Sequence, residues 1–345
     1  MSTLKVTQTT QSKLDSIDFK NLGFGSVFSD HMLVCDYKNG AWGTPEIVPF
    51  EPISLMPSAK IFHYGQSIFE GMKAYKDSDK KTWLFRPDEN FKRFNISAKR
   101  LSIPELPEAV FMEGLKALLK VDDQWIPTQE GSSLYIRPII FATGEGFHAS
   151  PADAYKFIIC TAPSGAYFAG KVKVLIEQNY SRSANGGVGF AKAGGNYAGQ
   201  FYPTQLAIDK GYQQVIWTDD NTHEYIEEAG AMNIFVRIND TLITGPTSDR
   251  ILDGITRKSI LDIAKDEGID TFRMSRDQIR DAILKKRQDG LKPDKKGLNK
   301  DEVAKKAEAD KPAKADPVDA LTKLVEKIHG LVAKIEPKLP QHALN

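Results

Sequence analysis

Three β-type runs lie close together in the middle of the chain, and they constrain its fold more than any other feature. The runs are SLYIRPIIFAT (133–143), YKFIICTA (155–162) and KVKVLIEQ (171–178). Short apolar runs rich in Val, Ile, Tyr and Phe and bounded by Gly, Pro or Ser are typical of strands. Strand and helix signals then alternate without the regular rhythm of a doubly wound sheet, which predicts a mixed α/β (α+β) fold.

Other patterns predict the elements around these strands. A strand is expected from Gly23 to Tyr37, and a helix over 88–101 with Asp88 at or near its cap. A further helix is expected from Tyr197 to about Lys210. The remaining predicted strands are 81–87, 214–219, 232–238, 241–245 and 269–275, and the remaining predicted helices are 107–121, 253–268 and 275–290.

The segment PSGAYFAGK contains turn-forming residues and predicts a connection between two domains at 164–171. The chain has 345 residues, enough for a small domain at 1–163 and a large one at 172–290. Residues 291–316 are rich in Lys, Asp, Ala and Pro, so they predict a linker that cannot bury enough apolar surface to fold. Residues 317–336 carry an apolar stripe and predict an amphipathic helix.

Charge and composition narrow the function. Lys and Arg number 46 and Asp and Glu 45, so no global field points to nucleic acid or to a membrane surface, and a small ligand is expected. Cys35 and Cys160 lie far apart in apolar runs without metal-type spacing, which predicts reduced thiols and no metal site. The first residues carry neither a signal peptide nor a transit pattern, and the expected location is cytoplasmic.

One lysine, Lys192, stands among small residues in GFAKAGGNYAG (189–199). A lysine amine becomes a nucleophile when small neighbours admit a carbonyl cofactor and desolvation keeps the amine neutral. Pyridoxal 5′-phosphate (PLP) is the obvious carbonyl. It also requires an acid at the ring nitrogen, a partner for the ring hydroxyl and donors for the phosphate. Without support from the rest of the sequence, a lysine in such a segment is more often part of a flexible loop than a residue that bonds covalently to PLP.

Seven motifs in order resemble the branched-chain amino-acid aminotransferases, PLP enzymes of fold type IV, over about residues 23–290. The motifs are HYGQSIFEGMKAY, LFRPDENFKRF, SLYIRP, GAYF, AKAGGNYA, EEAGAMNIFV and ILDGITRKSI. The resemblance implies a two-domain fold like that of D-amino-acid aminotransferase.

The resemblance also implies roles toward the cofactor. Lys192 takes the place of the lysine that bonds covalently to PLP, and Tyr197 that of the partner of the ring hydroxyl. Glu228 takes the place of the carboxylate at the ring nitrogen, with Glu227 as its rival; the alternative for Glu227 is a strand residue that faces water. The implied phosphate ligands are Arg93 and the helix start at Gly254, Ile255 and Thr256.

For the substrate, the resemblance implies an apolar cage with a polar patch for the carboxylate. Core packing is the alternative for each aromatic residue of this set. The implied substrate-binding residues are Phe24, Tyr64, Phe69, Tyr135, Arg137, Tyr167 and Ala231.

The family pattern is interrupted after residue 290. Family members continue with a Gly-Thr loop and further strands, whereas this chain has LKPDKKGLNKDEV. The expectation is therefore a large domain that is incomplete at its carboxyl-terminal end, with impaired activity as a consequence.

The implied reaction is transamination of Leu, Ile or Val with 2-oxoglutarate, giving 2-oxo acids and glutamate, in a homodimer. Two alternatives stay open. One is a D-amino-acid aminotransferase or lyase of the same fold. The other is a non-catalytic protein that binds PLP or docks on a partner.

Overall fold

A computed structural model describes residues 4–165, 170–238 and 241–266. The strands of the first half are β1 (Lys5–Val6), β2 (His31–Lys38), β3 (Ala41–Trp42), β4 (Glu46–Pro49), β5 (Ser67–Phe69), β6 (Met72–Lys76), β7 (Thr82–Leu84), β8 (Ser133–Ala142) and β9 (Tyr155–Ser164). They form one sheet in the order β1-β4-β2-β9-β8-β6-β7, in which β3 pairs with β2 and β5 pairs with β8. The strands β1 and β4 pair in parallel.

The long central strands β8 and β9 pair over their whole length, from Ser133 opposite Ser164 to Ala142 opposite Tyr155. The first-half helices are α1 (Lys60–Tyr64), α2 (Pro87–Arg100) and α3 (Glu108–Val121). The apolar residues of α2 and α3 pack on this sheet: Phe94 and Phe111 are fully buried and their rings contact Phe157 of β9. This packing forms the main core.

A short break separates β5 (Ser67–Phe69) from β6 (Met72–Lys76), and it contains the carboxylate of Glu70. Both strands pair with β8, β5 through Phe69 opposite Ile139 and β6 through Met72 opposite Ile136. Pro138 lies opposite the break, where the N–H of Glu70 donates to its carbonyl oxygen (2.8 Å). At the next position, a Cβ on Gly71 would lie 2.4 Å from the Tyr135 hydroxyl, so a glycine is needed there.

The second half forms two smaller sheets within the described residues. Its elements are β10 (Val174–Ile176), α4 (Gly194–Ala198), α5 (Phe201–Asp209), β11 (Gln214–Thr218), β12 (Ile226–Ala229), β13 (Val236–Ile238), β14 (Thr241–Ile243) and α6 (Ile255–Asp266). The strands β10, β11 and β12 form one sheet in that order, and β13 pairs with β14 in the other. The first-half sheet therefore ends with β9, and the second-half sheets begin with β10.

The mixed α/β fold is confirmed, and β8, β9 and α3 lie within one or two residues of their predicted bounds. The strand predicted from Gly23 is wrong in its first part, because Gly25 adopts a left-handed φ of 68° and β2 begins only at His31. The helix predicted from Tyr197 is two short helices, α4 and α5.

Asp88 lies near the helix cap, as expected, but it is not the capping residue itself. Helix α2 begins at Pro87 with Arg86 as its N-cap, and Asp88 lies in its first turn. Proline fits the first helical position well, since that position needs no N–H donor and has the φ that the ring imposes.

Several predictions lie outside the described residues: the elements beyond residue 268, the linker at 291–316, the helix at 317–336 and the incomplete end of the large domain. The domain bounds stay a prediction. None of the helices in the described ranges is long and apolar enough to cross a membrane.

Candidate active site

A large cavity lies where the break between β5 and β6 meets the second half of the chain. It has a volume of about 840 Å³, and its walls come from both halves of the chain. Twelve predicted site residues line it: Phe24, Phe69, Arg93, Tyr135, Arg137, Lys192, Tyr197, Glu228, Ala231, Gly254, Ile255 and Thr256.

One predicted site residue that the structure describes, Tyr64, does not line this cavity. Tyr64 lies at the end of α1, where its hydroxyl contacts the carbonyl oxygen of Phe147 and its side chain is partly exposed. Tyr167 lies outside the described residues.

Lys192 is held by its backbone between two elements of the first half. Its N–H donates to the hydroxyl of Ser97 in α2 (2.9 Å), and its carbonyl oxygen accepts from the N–H of Phe69 in β5 (3.0 Å). The small neighbours allow this close approach: Ala193 forms a bridge to Ile68, and a Cβ on Gly194 would lie 2.6 Å from the Ser67 hydroxyl. The loop is small because it packs against β5.

The amine of Lys192 is buried, and burial lowers its pKa from 10.5 to about 8, helped by the nearby cations Arg93 and Arg137 and opposed by Glu70. Its Nζ donates to the hydroxyl of Tyr197 at 2.7 Å. The amine also lies 4.6 Å from the centre of the Phe69 ring. A buried amine of this kind is poised to act as a nucleophile and as a base near neutral pH.

Glu228 and Glu227 are neighbours in β12 but face opposite sides of the strand. The carboxylate of Glu228 lines the cavity and contacts Arg182 at 2.8 Å. The carboxylate of Glu227 lies 2.8 Å from Nε of Arg250. Burial raises the pKa of each carboxyl to about 7. The expectation that Glu227 faces water is therefore wrong, because its side chain is buried in an ion pair.

Arg93 of α2 lies between Glu70 and the start of α6. Its Nε and Nη2 donate to the two carboxylate oxygens of Glu70 (2.7 and 2.8 Å), and its Nη1 donates to the carbonyl oxygen of Asp253 (3.0 Å). These contacts with described residues use three of the five guanidinium N–H groups. The remaining N–H groups are open to an anion.

The start of α6 adds backbone donors beside Arg93. Lys258 makes the first intrahelical bond, to the carbonyl oxygen of Gly254 (2.9 Å), so the N–H groups of Ile255 and Thr256 precede the helical ladder. The chain passes very close to Asn233, since a Cβ on Gly254 would lie 1.8 Å from its side-chain oxygen. A helix start beside a guanidinium is suited to a phosphate group.

Another part of the cavity wall carries aromatic rings around the guanidinium of Arg137. Arg137 stacks on Phe69 at 4.6 Å and its Nη2 donates to the Tyr135 hydroxyl at 2.9 Å. The ring of Phe24 contacts that of Tyr135 at 4.9 Å between centroids. The buried Nε of Arg137 makes no hydrogen bond to any described residue. This wall therefore combines apolar surface with a cation that can donate a further hydrogen bond to a ligand.

Sequence reasoning missed three residues that hold the predicted ones in place: Glu70, Arg182 and Asn233. Glu70 and Asn233 stand inside motifs that the sequence analysis quoted, yet nothing in those motifs says that they bond to Arg93 and Glu228. Within the described residues, no group of His, Cys, Asp and Glu side chains could hold a metal ion.

The donor set fits PLP. The cavity offers a buried amine beside a phenol, a carboxylate, and a guanidinium next to free helical N–H groups, which match the aldehyde, hydroxyl, ring nitrogen and phosphate of that cofactor. The fold and the cavity thus define a PLP-dependent enzyme.

Comparison with known protein sequences identifies the family of this chain. The sequence model of Amino-transferase class IV matches residues 67–283, and the chain belongs to this family. It is similar to branched-chain-amino-acid aminotransferase 2 of Bacillus subtilis, with 42% identity over 82% of this chain and 78% of the relative. It is 47% identical to a probable branched-chain-amino-acid aminotransferase of Staphylococcus aureus strain N315, over 75% of this chain and 74% of the relative.

Solved structures agree with this membership. The branched-chain amino acid aminotransferase of Escherichia coli superposes with a TM-score of 0.58 at 29% identity, over 70% of this chain and 77% of that one. The T.th. branched-chain amino acid aminotransferase with pyridoxamine 5′-phosphate superposes with a TM-score of 0.57 at 27% identity, over 75% of this chain and 79% of that one. The predicted fold type IV is confirmed by these similarities.

Proposed function

We propose that this chain transfers the amino group of Leu, Ile or Val to 2-oxoglutarate, with PLP bound at Lys192. The observation that carries the proposal is the buried Lys192 amine, 2.7 Å from the Tyr197 hydroxyl, in a cavity that Glu228 and Arg137 also line. The names of the relatives favour branched-chain substrates over the alternative of a D-amino-acid aminotransferase or lyase. An enzyme is also favoured over a non-catalytic binding protein.

PLP supplies an electron sink that stabilises negative charge on the substrate carbon. The residues of this chain do the rest. Arg93, with the first N–H groups of α6, binds the phosphate, and Tyr197 and Glu228 hold the ring. The amine of Lys192 would remove the proton from Cα of the amino acid, and its lowered pKa suits this task because a base must be unprotonated to act.

Substrate selection follows from the part of the cavity wall that the aromatic rings and Arg137 form. Phe24, Phe69 and Tyr135 present apolar ring surface to a branched aliphatic side chain. The second substrate, 2-oxoglutarate, carries an additional carboxylate, and burying that charge requires a paired cation. The guanidinium of Arg137 lies against the rings of Phe69 and Tyr135. It can pair with the additional carboxylate, so that the dicarboxylic substrate binds in a site that otherwise favours apolar groups.

We also propose that the protein is a homodimer and is located in the cytoplasm. Around α1 the side chains of Phe62, Tyr64 and Phe147 are 61%, 43% and 73% exposed, an apolar surface suited to a second copy of the chain. Cys35 and Cys160 are free thiols, which suits a reducing compartment. Sedimentation of the wild type and of Phe147→Glu tests the dimer: the variant should dissociate, and a monomeric wild type contradicts the proposal.

Activity is tested by incubating the protein with 2-oxoglutarate and L-leucine and measuring the glutamate formed. D-leucine is the matched control substrate. Glutamate formed from L-leucine alone supports the proposal. Glutamate formed faster from D-leucine, or PLP binding without any transfer, contradicts it.

A further inference from the structure

Arg182 lies in the segment between β10 and the lysine loop, and its side chain is 4% exposed. Its Nη1 lies 2.8 Å from Oε1 of Glu228, whose side chain is equally buried. Two oppositely charged groups so far from water interact much more strongly than a surface pair. The ion pair forms part of the cavity wall, since both side chains line it.

The guanidinium of Arg182 is fixed by two loops as well as by the carboxylate. Its Nη1 donates to the carbonyl oxygen of Arg250 at 2.6 Å, and its Nη2 donates to that of Gly189 at 3.2 Å. Gly189 opens the segment that leads to Lys192. The position of this cation is thus set by backbone carbonyl groups of two segments that are distant in sequence.

Glu228 has two further partners, both neutral. The side-chain amide of Asn233 donates to Oε2 at 2.9 Å, and the N–H of Leu252 donates to Oε1 at 3.2 Å. Lys192, Tyr197 and Glu227 act on it from a greater distance, through charge alone. Arg182 is therefore the charged group in direct contact with the carboxylate.

We propose that Arg182 is a positioning residue that keeps the Glu228 carboxylate ionised, and that it thereby keeps the ring nitrogen of bound PLP protonated. This inference rests on the proposed function, because it assigns Glu228 to that nitrogen. An ionised carboxylate stabilises a protonated ring nitrogen. A neutral carboxyl group would instead donate its own proton to the nitrogen lone pair in a hydrogen bond.

The balance of forces on Glu228 shows why the cation matters. Burial raises the pKa of this carboxyl to about 7, and the charge of Arg182 is the largest effect that opposes the rise. Removing Arg182 leaves burial and the charge of Glu227 to push the pKa higher still. At neutral pH the carboxyl group would then be uncharged, and the ring nitrogen would lose its ionic partner.

The chain provides a matched control. Arg250 is also a buried arginine, with its Nε 2.8 Å from Glu227, the neighbouring glutamate. Its side chain lies away from the cavity, on the other side of β12. Arg250→Met therefore removes a buried arginine from an ion pair with a glutamate without touching the one that lines the cavity.

The experiment measures the protonation of the ring nitrogen by solid-state 15N NMR on protein loaded with PLP labelled at that atom. PLP affinity, measured by equilibrium dialysis, accompanies each spectrum. The resonance is expected in the protonated position in the wild type, in Arg182→Lys and in Arg250→Met. It is expected in the unprotonated position in Arg182→Met, Arg182→Gln and Glu228→Gln.

A protonated resonance in Arg182→Met together with an unprotonated one in Glu228→Gln overturns the inference and leaves the proposed function intact. An unprotonated wild type, or a protonated Glu228→Gln, overturns the assignment of Glu228 itself. If Arg182→Met does not fold, Arg182→Lys and Arg182→Gln decide: a resonance at the same position in both overturns the inference, and protonation in the lysine variant alone supports it.

Discussion

Glu70 holds Arg93 in a two-pronged ion pair, with Oε1 2.7 Å from Nε and Oε2 2.8 Å from Nη2. The carboxylate is fully buried, and the side-chain amide of Asn90 also donates to it at 2.7 Å. The pair directs the free edge of the guanidinium toward the start of α6. The phosphate site that we propose at Arg93 therefore depends on the Glu70 carboxylate, which holds the guanidinium in place.

Glu70→Gln should weaken PLP binding about 10-fold, because one charge-assisted hydrogen bond to Arg93 contributes about 1.5–3 kcal/mol. Equilibrium dialysis measures the affinity. Pyridoxal, which lacks the phosphate, is the matched ligand, and its affinity should change little. An equal loss for both ligands would show that Glu70 acts on the ring or on the fold.

Lys192→Ala should abolish covalent attachment of PLP, since no other amine in the cavity lies beside Tyr197 among the described residues. Borohydride reduction followed by peptide mapping should place the pyridoxyl label of the wild type on Lys192. Label at the same level on Lys73, a lysine of the cavity rim, would contradict this assignment.

The rate of PLP attachment to the apoprotein should rise with pH, reach half of its maximum near pH 8 and level off at higher pH. The neutral amine is the nucleophile, and burial lowers the pKa of Lys192 from 10.5 to about 8, so the neutral form is reached at lower pH than for an ordinary lysine. Stopped-flow absorbance from about pH 6 to about pH 10.5 measures the rate, with Nα-acetyl-lysine as the unburied reference. A rate that keeps rising up to the ordinary lysine pKa would show that the amine is not desolvated.

Glu228→Gln and Glu227→Gln should fail in different ways. The first should retain PLP but slow the loss of the Cα proton from leucine, which single-turnover mixing measures. The second should leave that rate near the wild-type value but lower the free energy of unfolding by about 1–3 kcal/mol, because a buried charged partner of Arg250 is lost. Equal single-turnover rates in wild type and Glu228→Gln would reject Glu228 as the ring partner.

Arg137→Met should raise KM for 2-oxoglutarate by about 10-fold or more and change KM for leucine less. The dicarboxylic substrate loses the cation that pairs with its additional charge, while the rings that contact leucine remain. Steady-state kinetics with each substrate varied separately measure both values. An equal rise in the two KM values would point to a general loss of the cavity wall.

Glu227 and Glu228 show which features of the site could be predicted from the sequence and which could not. The resemblance to the family implied that Glu228 and Lys192 belong to the site, and the runs of β-forming residues predicted β8 and β9. They did not predict that Glu227 is buried, because its partner Arg250 is remote in sequence and a charged residue in a strand normally faces water. Ion pairs between distant segments depend on tertiary packing, which local patterns do not record.

Local conformation was missed for a related reason. The first part of the strand predicted from Gly23 fails at Gly25, where a left-handed φ turns the chain, and the start of α2 is set by Pro87 with Arg86 in a left-handed conformation. These features depend on single dihedral angles. A run of apolar residues in the sequence does not specify single dihedral angles. The bounds of the elements were therefore predicted less well than their existence.

The backbone bonds of Lys192 to Ser97 and Phe69 have a consequence for recombining this gene with those of relatives. The lysine is encoded in the second half of the chain, but its N–H and C=O are satisfied by the first half. A chimera with one crossover between residues 97 and 189 inherits the two sides of this contact from different parents. Such hybrids should retain the sheets of both halves yet misplace the amine, unless residues 67–69, Ser97 and 189–194 come from a single parent.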